Sequence, residues 1–348
     1  MRKSFREYLY NEENVVMVEL ISGFCNQYNL GNLLHPPTMI TGGLMHKMFR
    51  VITENGEYAF KVLNPDIMKK EHALRNMIFS EQISSKFKSE ISLIAAYEIL
   101  GQNVIAFNSY YFMIFDWIDA HSLFGTEIKE FHCKEIGRTL GKMHSLCIEI
   151  QGISKNVSIR ELFPWEDYLQ EAKLQQTEWF SIYEDNIEKI IKWDVEAISG
   201  LLELSNNQVI SHRDLDPKNV MWKNDDLYII DWEAAGYVNP FQELVEVLNY
   251  WTIDINGKYD KAKFDALLSE YVKYNNVESV NWRVVLQSSL DGMLGWLEYN
   301  IKRTLGLEGS GSENIEEGIK QLKGTIHELS RCQLNMKCLL EWLNEYAR

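Results

Sequence analysis

The chemistry-bearing residues of this chain are concentrated in two short stretches. His212-Arg213-Asp214-Leu215-Asp216-Pro217-Lys218-Asn219 is followed by Leu227-Tyr228-Ile229-Ile230-Asp231-Trp232-Glu233. They supply a carboxylate at Asp214, an amide five residues on at Asn219, and a second carboxylate, Asp231, at the end of an apolar run. Phosphoryl transfer from a nucleotide needs such a set. One carboxylate orients the attacking hydroxyl and accepts its proton; an amide oxygen and a second carboxylate hold the metal that bridges the phosphates. Alone, each residue is an ordinary turn or cap. Their spacing is what carries the signal.

These groups need rigid elements around them. Residues 11–28 place Val15, Val18, Ile21 and Cys25 at helical spacing. Residues 48–53 alternate like a strand, Asn55-Gly56 marks a hairpin turn, and Tyr58-Ala59-Phe60-Lys61-Val62-Leu63 returns. Asn64-Pro65-Asp66 stops that strand and opens a helix to about Phe87. Residues 91–96 and 104–107 read as strands, and Tyr111-Phe112-Met113-Ile114-Phe115 as one buried on both faces. Beyond residue 118 the period turns helical. Residues 130–147 set Cys133, Ile136, Leu140, Met143 and Cys147 on one face. Residues 165–205 read as one or two helices, 209–232 as a β-and-loop segment. Helices follow Pro240, broken near Asn256-Gly257 and by a flexible Gly/Ser run at 309–312.

A β-rich first third, then helices, with the two motifs between, resembles the protein-kinase-like fold. More narrowly it resembles the aminoglycoside phosphotransferase and choline kinase superfamily of small-molecule kinases. The resemblance rests on the Gly42-Gly43 turn, the Tyr58-Ala59-Phe60-Lys61 strand, the HRDLDPKN loop at 212–219 and the IIDWE segment at 229–233. Leu140-Gly141-Lys142-Met143-His144 fits more loosely. It covers about residues 38–250.

The resemblance implies an α+β, bilobal fold. A small β-rich nucleotide-binding lobe would span residues 1–116, and a larger, mostly helical lobe 117–348, with the catalytic loop and substrate pocket. It makes Asp214 the catalytic base, and Asn219 and Asp231 the ligands of Mg²⁺. It makes Lys61 the phosphate-pairing lysine of a strand where alternation alone would allow a solvent-facing one. A helix glutamate, Glu81 in preference to Glu71, would orient Lys61. Gly42 and Gly43 would let the backbone approach the phosphates, although no full GxGxxG is present. The segment through Asp116 and Ile118 would be the hinge that reads the base of ATP or GTP. His212 would support the loop by packing and hydrogen bonding. Glu233 is open between metal, cationic substrate and turn cap. His144 reads as a satisfied histidine at a lobe contact. Asp185, Glu188, Asp291 and Glu298 are acidic candidates for the substrate pocket.

The implied reaction moves the terminal phosphate of ATP or GTP to a hydroxyl of a small molecule. Aminoglycoside or macrolide antibiotics, choline or ethanolamine, and sugars or amino alcohols all fit. A protein kinase fits less well. Asp231-Trp232-Glu233 replaces Asp-Phe-Gly, no Ala-Pro-Glu follows, and Asp216 stands where Ser/Thr kinases carry lysine. A non-catalytic nucleotide-binding regulator is the third reading, against which every chemical position is filled.

Bulk properties agree. The 348 residues are 46% hydrophobic and 24% charged, ordinary for a globular protein with ample core. The formal charge of -15 argues against nucleic acid and fits a cationic acceptor. Five scattered cysteines without a CxxC pair indicate neither zinc nor a disulfide framework. With no apolar signal core and no transmembrane-length stretch, the expected location is the cytoplasm, away from membranes.

Overall fold

The computed structural model of the chain describes residues 12–40, 46–153, 155, 159–254, 257–308 and 312–347. Gly42 and Gly43, and Gly309 of the Gly/Ser run, lie outside the described residues. Two compact units divide the chain. The first runs to Glu127 and takes in His212–Gly236; the second holds Ile128–Ser211 and the residues from Tyr237 onward. Both motifs therefore share a unit with Lys61.

The first unit is built on a five-stranded antiparallel sheet. Its strands are β1 (Thr38–Ile40), β2 (Lys47–Ile52), β3 (Glu57–Val62), β4 (Ile105–Phe107) and β5 (Tyr110–Asp116), in the order β1-β2-β3-β5-β4. Asn55-Gly56 turns β2 into β3, as its residue types predict, and Thr53 N–H closes the turn onto the Gly56 carbonyl at 2.9 Å. Alternation then sorts side chains by face. Phe49, Val51, Phe60, Val62, Phe112 and Ile114 pack with Met17, Leu20, Ile21 and Phe24 of α1 (Glu12–Gln27). Phe24 alone meets the rings of Tyr28, Phe60, Phe107 and Phe112 at 4.5–5.6 Å. Leu63 and Met113 form a second cluster with Ala96, Val104 and Met77 of α2 (Ala73–Phe87). Lys61 lies opposite Met113 in the register. It therefore belongs to the α2 side of the sheet rather than to solvent.

Two expectations are corrected here. The helix opened by Asn64 is not continuous to Phe87. Asn64 Oδ1 caps a single turn, Pro65–Met68, which buries no residue, so nothing holds the charged stretch 69–72 helical; α2 begins at Ala73. Residues 91–96 are not a regular strand. They hold one parallel bridge, between Leu93 and Ile229, because the backbone groups on either side turn to separate partners: Ile91 N–H to the Phe87 carbonyl, and Ala96 N–H to the Glu81 carboxylate.

A three-stranded sheet completes this unit: β6 (His121–Ser122), β7 (Val220–Lys223) and β8 (Asp226–Ile229), with β7 central. Sheet structure thus extends past residue 118, where helical periodicity was expected to take over.

The second unit contains α3 (Glu130–Ser145), α4 (Trp165–Leu174), α5 (Ile187–Leu204), α6 (Pro240–Thr252), α7 (Lys261–Tyr271), α8 (Trp282–Ser288), α9 (Asp291–Thr304) and α10 (Ser312–Tyr346). Residues 165–205 give three helical pieces, with a short one at Phe180–Glu184. Gln176, in left-handed backbone (φ 53°), ends α4. Asn239 caps α6, its Oδ1 accepting from the N–H groups of Phe241 and Gln242 with Pro240 in the first turn. Trp165, Trp179, Tyr183, Trp193, Leu294, Leu297, Ile301 and Leu329 form the main core of this unit. Among the described residues no helix is long and apolar enough to cross a membrane.

Candidate active site

The β7–β8 hairpin decides where the motif residues meet. Val220 pairs with Ile229, so Asn219 and Ile230 come next in the ladder, and Ile230 N–H donates to the Asn219 carbonyl at 3.0 Å. One step further lies Asp231. A twelve-residue separation in sequence thus becomes adjacency across two strands. The hairpin turns at Asn224, which takes left-handed backbone (φ 55°).

Asn219 is 4% exposed, and its Nδ2 donates to both the carbonyl oxygen and Oδ2 of Asp214, each at 2.9 Å. The amide nitrogen is committed, so Oδ1 is the atom of this side chain with lone pairs to offer a cation. His212 is fully buried. Its Nδ1 accepts the Asp214 N–H at 3.3 Å, which puts the ring proton on Nε2, 3.0 Å from the Ile230 carbonyl. The histidine therefore ties the Asp214 loop to the residue that follows β8. Lys218 Nζ lies 3.4 Å from Asp214 Oδ2. Two non-glycine residues here occupy left-handed backbone, Arg213 (φ 66°) and Asp231 (φ 60°). Such conformations cost of order 1 kcal/mol each and collect at functional sites.

Lys61 is 9% exposed, and its ammonium is held by two carboxylates. Nζ is 3.0 Å from Asp231 Oδ1, 170 residues away in sequence, and also pairs with Glu233 Oε1. Burial works against the charged lysine, but Asp231 and Glu233 outweigh it and push its pKa above the ordinary lysine range. Burial likewise opposes ionisation of Glu233, yet a hydrogen bond from His46 and the Lys61 charge hold its carboxyl down at about 2. Between the two acids Trp232 is 3% exposed, stacked on Phe87 of α2 (5.6 Å, 27°) and edge-on to His212. Anchored in this way, Trp232 lets both flanking carboxylates reach Lys61.

Not every candidate joins the cluster. Glu81 lies on the buried side of α2, but its Oε2 accepts the Ala96 N–H at 2.9 Å and the Ser84 hydroxyl at 3.3 Å. Among the described residues it makes no ion pair with Lys61. Burial raises its pKa, only partly offset by the Ala96 hydrogen bond. Glu71 is not on the helix at all; it falls in the exposed turn before Ala73, beside His72. Asp116 ends β5, where its carboxylate accepts the Tyr97 hydroxyl at 2.5 Å, and Ile118 follows it, half-buried. Neither side chain bonds to Lys61, Asp214, Asn219 or Asp231. His46 was not singled out by motif or period. Its only local signal is its place at the entry to β2.

In the second unit His144 is buried between Tyr271 (2.9 Å) and Glu243 (2.8 Å), a satisfied histidine inside that unit. Asp291 accepts from Arg160 Nε at 2.9 Å. Glu298 accepts from Tyr168 at 2.6 Å and pairs with Lys302. Both acids are already matched by partners; Asp185 and Glu188 are exposed.

The donor set of the first unit suits Mg²⁺. No group of three His, Cys, Asp or Glu poised for a metal occurs among the described residues. Mg²⁺ needs no such cage. It is commonly held by one or two protein oxygens with phosphates and waters supplying the rest. Asn219 Oδ1 and the Asp231 carboxylate, with its side chain 45% exposed, are hard oxygens of that kind.

Comparison with known proteins bears on this arrangement. Residues 38–276 match the model of the phosphotransferase enzyme family. A spectinomycin phosphotransferase, solved with ADP and spectinomycin, shares 14% identity and a TM-score of 0.67 over 89% of this chain and 96% of its own. An ethanolamine kinase of Plasmodium vivax shares 16% identity and a TM-score of 0.58, over 93% of this chain and 89% of its own. A homoserine kinase of Rhizobium etli is 25% identical over 142 residues, 40% of this chain and 42% of that protein. The chain thus spans about two fifths of the length of the curated relatives it matches. The structural likenesses establish a kinase-like fold with a small antiparallel sheet region and a larger helical part. With the family match extending over well more than half of its length, the chain belongs to the phosphotransferase enzyme family.

Proposed function

We propose that this chain transfers the terminal phosphate of ATP or GTP to a hydroxyl of a small molecule, directly and in line, with Asp214 as the catalytic base. One observation carries the reading. Lys61, Asp231, Asn219 and Asp214 form a continuous run of contacts: Lys61 to Asp231, Ile230 to Asn219, Asn219 to Asp214. In this reading the Asp214 carboxylate accepts the proton of the attacking hydroxyl, and the Asn219 amide holds that carboxylate in place. Lys61 neutralises charge on the donor phosphates. Asn219 Oδ1 and Asp231 hold Mg²⁺, which when bound offsets phosphate charge. The backbone of the segment through Asp116 and Ile118 reads the base, and Gly42 and Gly43 approach the phosphates.

A small acceptor is favoured over a protein. Between Asp231 and the α6 cap at Asn239 there is only a one-turn helix, Trp232–Ala234, and the strand Gly236–Val238. A peptide-docking activation segment has no length to occupy. The relatives named above, a spectinomycin phosphotransferase, an ethanolamine kinase and a homoserine kinase, are kinases of small molecules by name. The acidic charge of -15 favours a cationic acceptor among these.

The test is nucleoside-diphosphate release with Mg²⁺, from ATP and from GTP, over a panel of aminoglycosides, macrolides, choline, ethanolamine, homoserine and sugars. Stimulation by one class, lost in Asp214→Asn, supports the reading and names the acceptor. Stimulation that survives in Asp214→Asn overturns the role of Asp214.

A further inference from the structure

His46 is 7% exposed, yet it belongs to no motif. Its Nδ1 accepts the backbone N–H of Asn64 at 3.0 Å. With Nδ1 so used, the neutral ring carries its proton on Nε2, and Nε2 lies 3.4 Å from Glu233 Oε2. The other oxygen of that carboxylate pairs with Lys61. Asn64 follows β3, three residues after Lys61. One imidazole therefore spans both the end of the lysine's strand and the lysine's acidic partner. Glu81, the residue expected to orient Lys61, is instead bound to Ala96 and Ser84.

From this geometry we infer that His46 is a positioning residue for Lys61, acting through Glu233, and that Glu233 takes the orienting role expected of a helix glutamate. The inference rests on the reading of Lys61 as the phosphate-pairing lysine. A carboxylate bound at one oxygen only can swing about its side-chain torsions. The Nε2–H donor holds the second oxygen, so Oε1 stays directed at Nζ. A hydrogen bond to a charged group is worth enough for about a tenfold change in an equilibrium it controls.

The two nitrogens of His46 can be tested separately. His46→Asn places a carbonyl oxygen near the Nδ1 position, keeping an acceptor for Asn64 and losing the donor to Glu233. His46→Gln places an amide near the Nε2 position, keeping that donor and losing the Asn64 acceptor. Binding of Mg²⁺ with ADP, and with GDP, is measured by calorimetry on the full chain, with thermal melting in parallel. The expected result is a Kd about tenfold weaker in His46→Asn and within about threefold of wild type in His46→Gln. In a Glu233→Gln background, His46→Asn adds little, because its route is already cut. Weakening by His46→Gln with His46→Asn unaffected, or full additivity with Glu233→Gln, overturns the inference in favour of a structural role at Asn64. Lys61→Met separates the two levels. If it leaves Kd unchanged, the reading of Lys61 fails and the inference with it; if it weakens Kd while His46→Asn does not, only the inference fails.

Discussion

Asn219 spans Asp214: a single amide nitrogen lies 2.9 Å from both the backbone carbonyl and the carboxylate Oδ2 of that residue. The double contact closes the loop on itself and points the Asp214 side chain in one direction. It also turns the Asn219 carbonyl oxygen away from Asp214. The proposed base and the proposed metal ligand are thus oriented by the same bond.

Asp214→Asn keeps the shape of the side chain and removes its basicity. Acceptor-stimulated turnover should fall by about 10²–10⁴, the usual contribution of general-base catalysis. Nucleotide Kd should stay within about threefold. Steady-state kinetics and calorimetry on the same preparation separate the two effects. A Kd that collapses together with kcat would mean the residue shapes the nucleotide site instead.

Glu81 is held at a pKa above the ordinary carboxylate range by burial. The folded state therefore keeps that proton better than the unfolded chain. The stability this contributes is complete below the unfolded value, about 4.3, and is lost as pH rises through the folded one. Glu81→Gln should accordingly melt at the same temperature as wild type or higher at pH 8, with the gap closing toward pH 4. Its nucleotide Kd should change less than about threefold, since Lys61 is paired elsewhere. A larger loss would restore Glu81 as the orienting acid.

Glu270 shows the opposite sign. It is 3% exposed, and burial alone would raise its pKa; Lys273, Arg138 and Lys134 outweigh burial and lower it. Its contribution is present above about pH 4.3 and lost as pH falls through the depressed folded value. Glu270→Gln should cost about 1 kcal/mol at pH 7, because its three cations are substantially solvated. Melting curves at several pH values should show the penalty shrinking below pH 4 and in high salt. A penalty constant with pH would point to packing alone.

α3 and α7 approach closely through Gly137 and Gly141. A Cβ on Gly137 would sit 2.0 Å from the Leu267 carbonyl oxygen, which is backbone and cannot rotate away. Gly137→Ala should destabilise by at least about 2 kcal/mol despite its better helix propensity. Denaturant unfolding measures this directly, and a neutral result would mean the two helices can separate without loss. The Gly141 of the family-like Leu140–His144 stretch has the same packing role, its Cβ position lying 2.9 Å from the Tyr274 ring.

Much of the first unit was legible along the chain because its signals are local. Period-two alternation and Asn55-Gly56 specify the β2–β3 hairpin, and a nearly unbroken apolar run specifies β5. The Asp214, Asn219 and Asp231 trio was legible for a related reason: the β7–β8 hairpin converts fixed spacing into fixed neighbours. Where local signals ended, the reading failed. The break at residues 69–72 follows from what the Pro65–Met68 turn does not bury, which no period records.

The sequence by itself determined which residues could do chemistry, that Lys61 belongs to a β-strand, and the family. Only the tertiary structure decided the partners of that lysine. Alternation alone allowed Lys61 to face solvent; sheet register and α2 put it under cover, where an ammonium must be paired. The Ala96 N–H claims Glu81, and the chain turn around buried Trp232 delivers Glu233 to Lys61 instead. His46 becomes meaningful only beside Glu233, far from it in sequence. Ion pairs and hydrogen bonds depend on separation in space within a few ångströms. A linear chain carries that separation only where a turn or a helix repeat makes sequence distance and spatial distance the same.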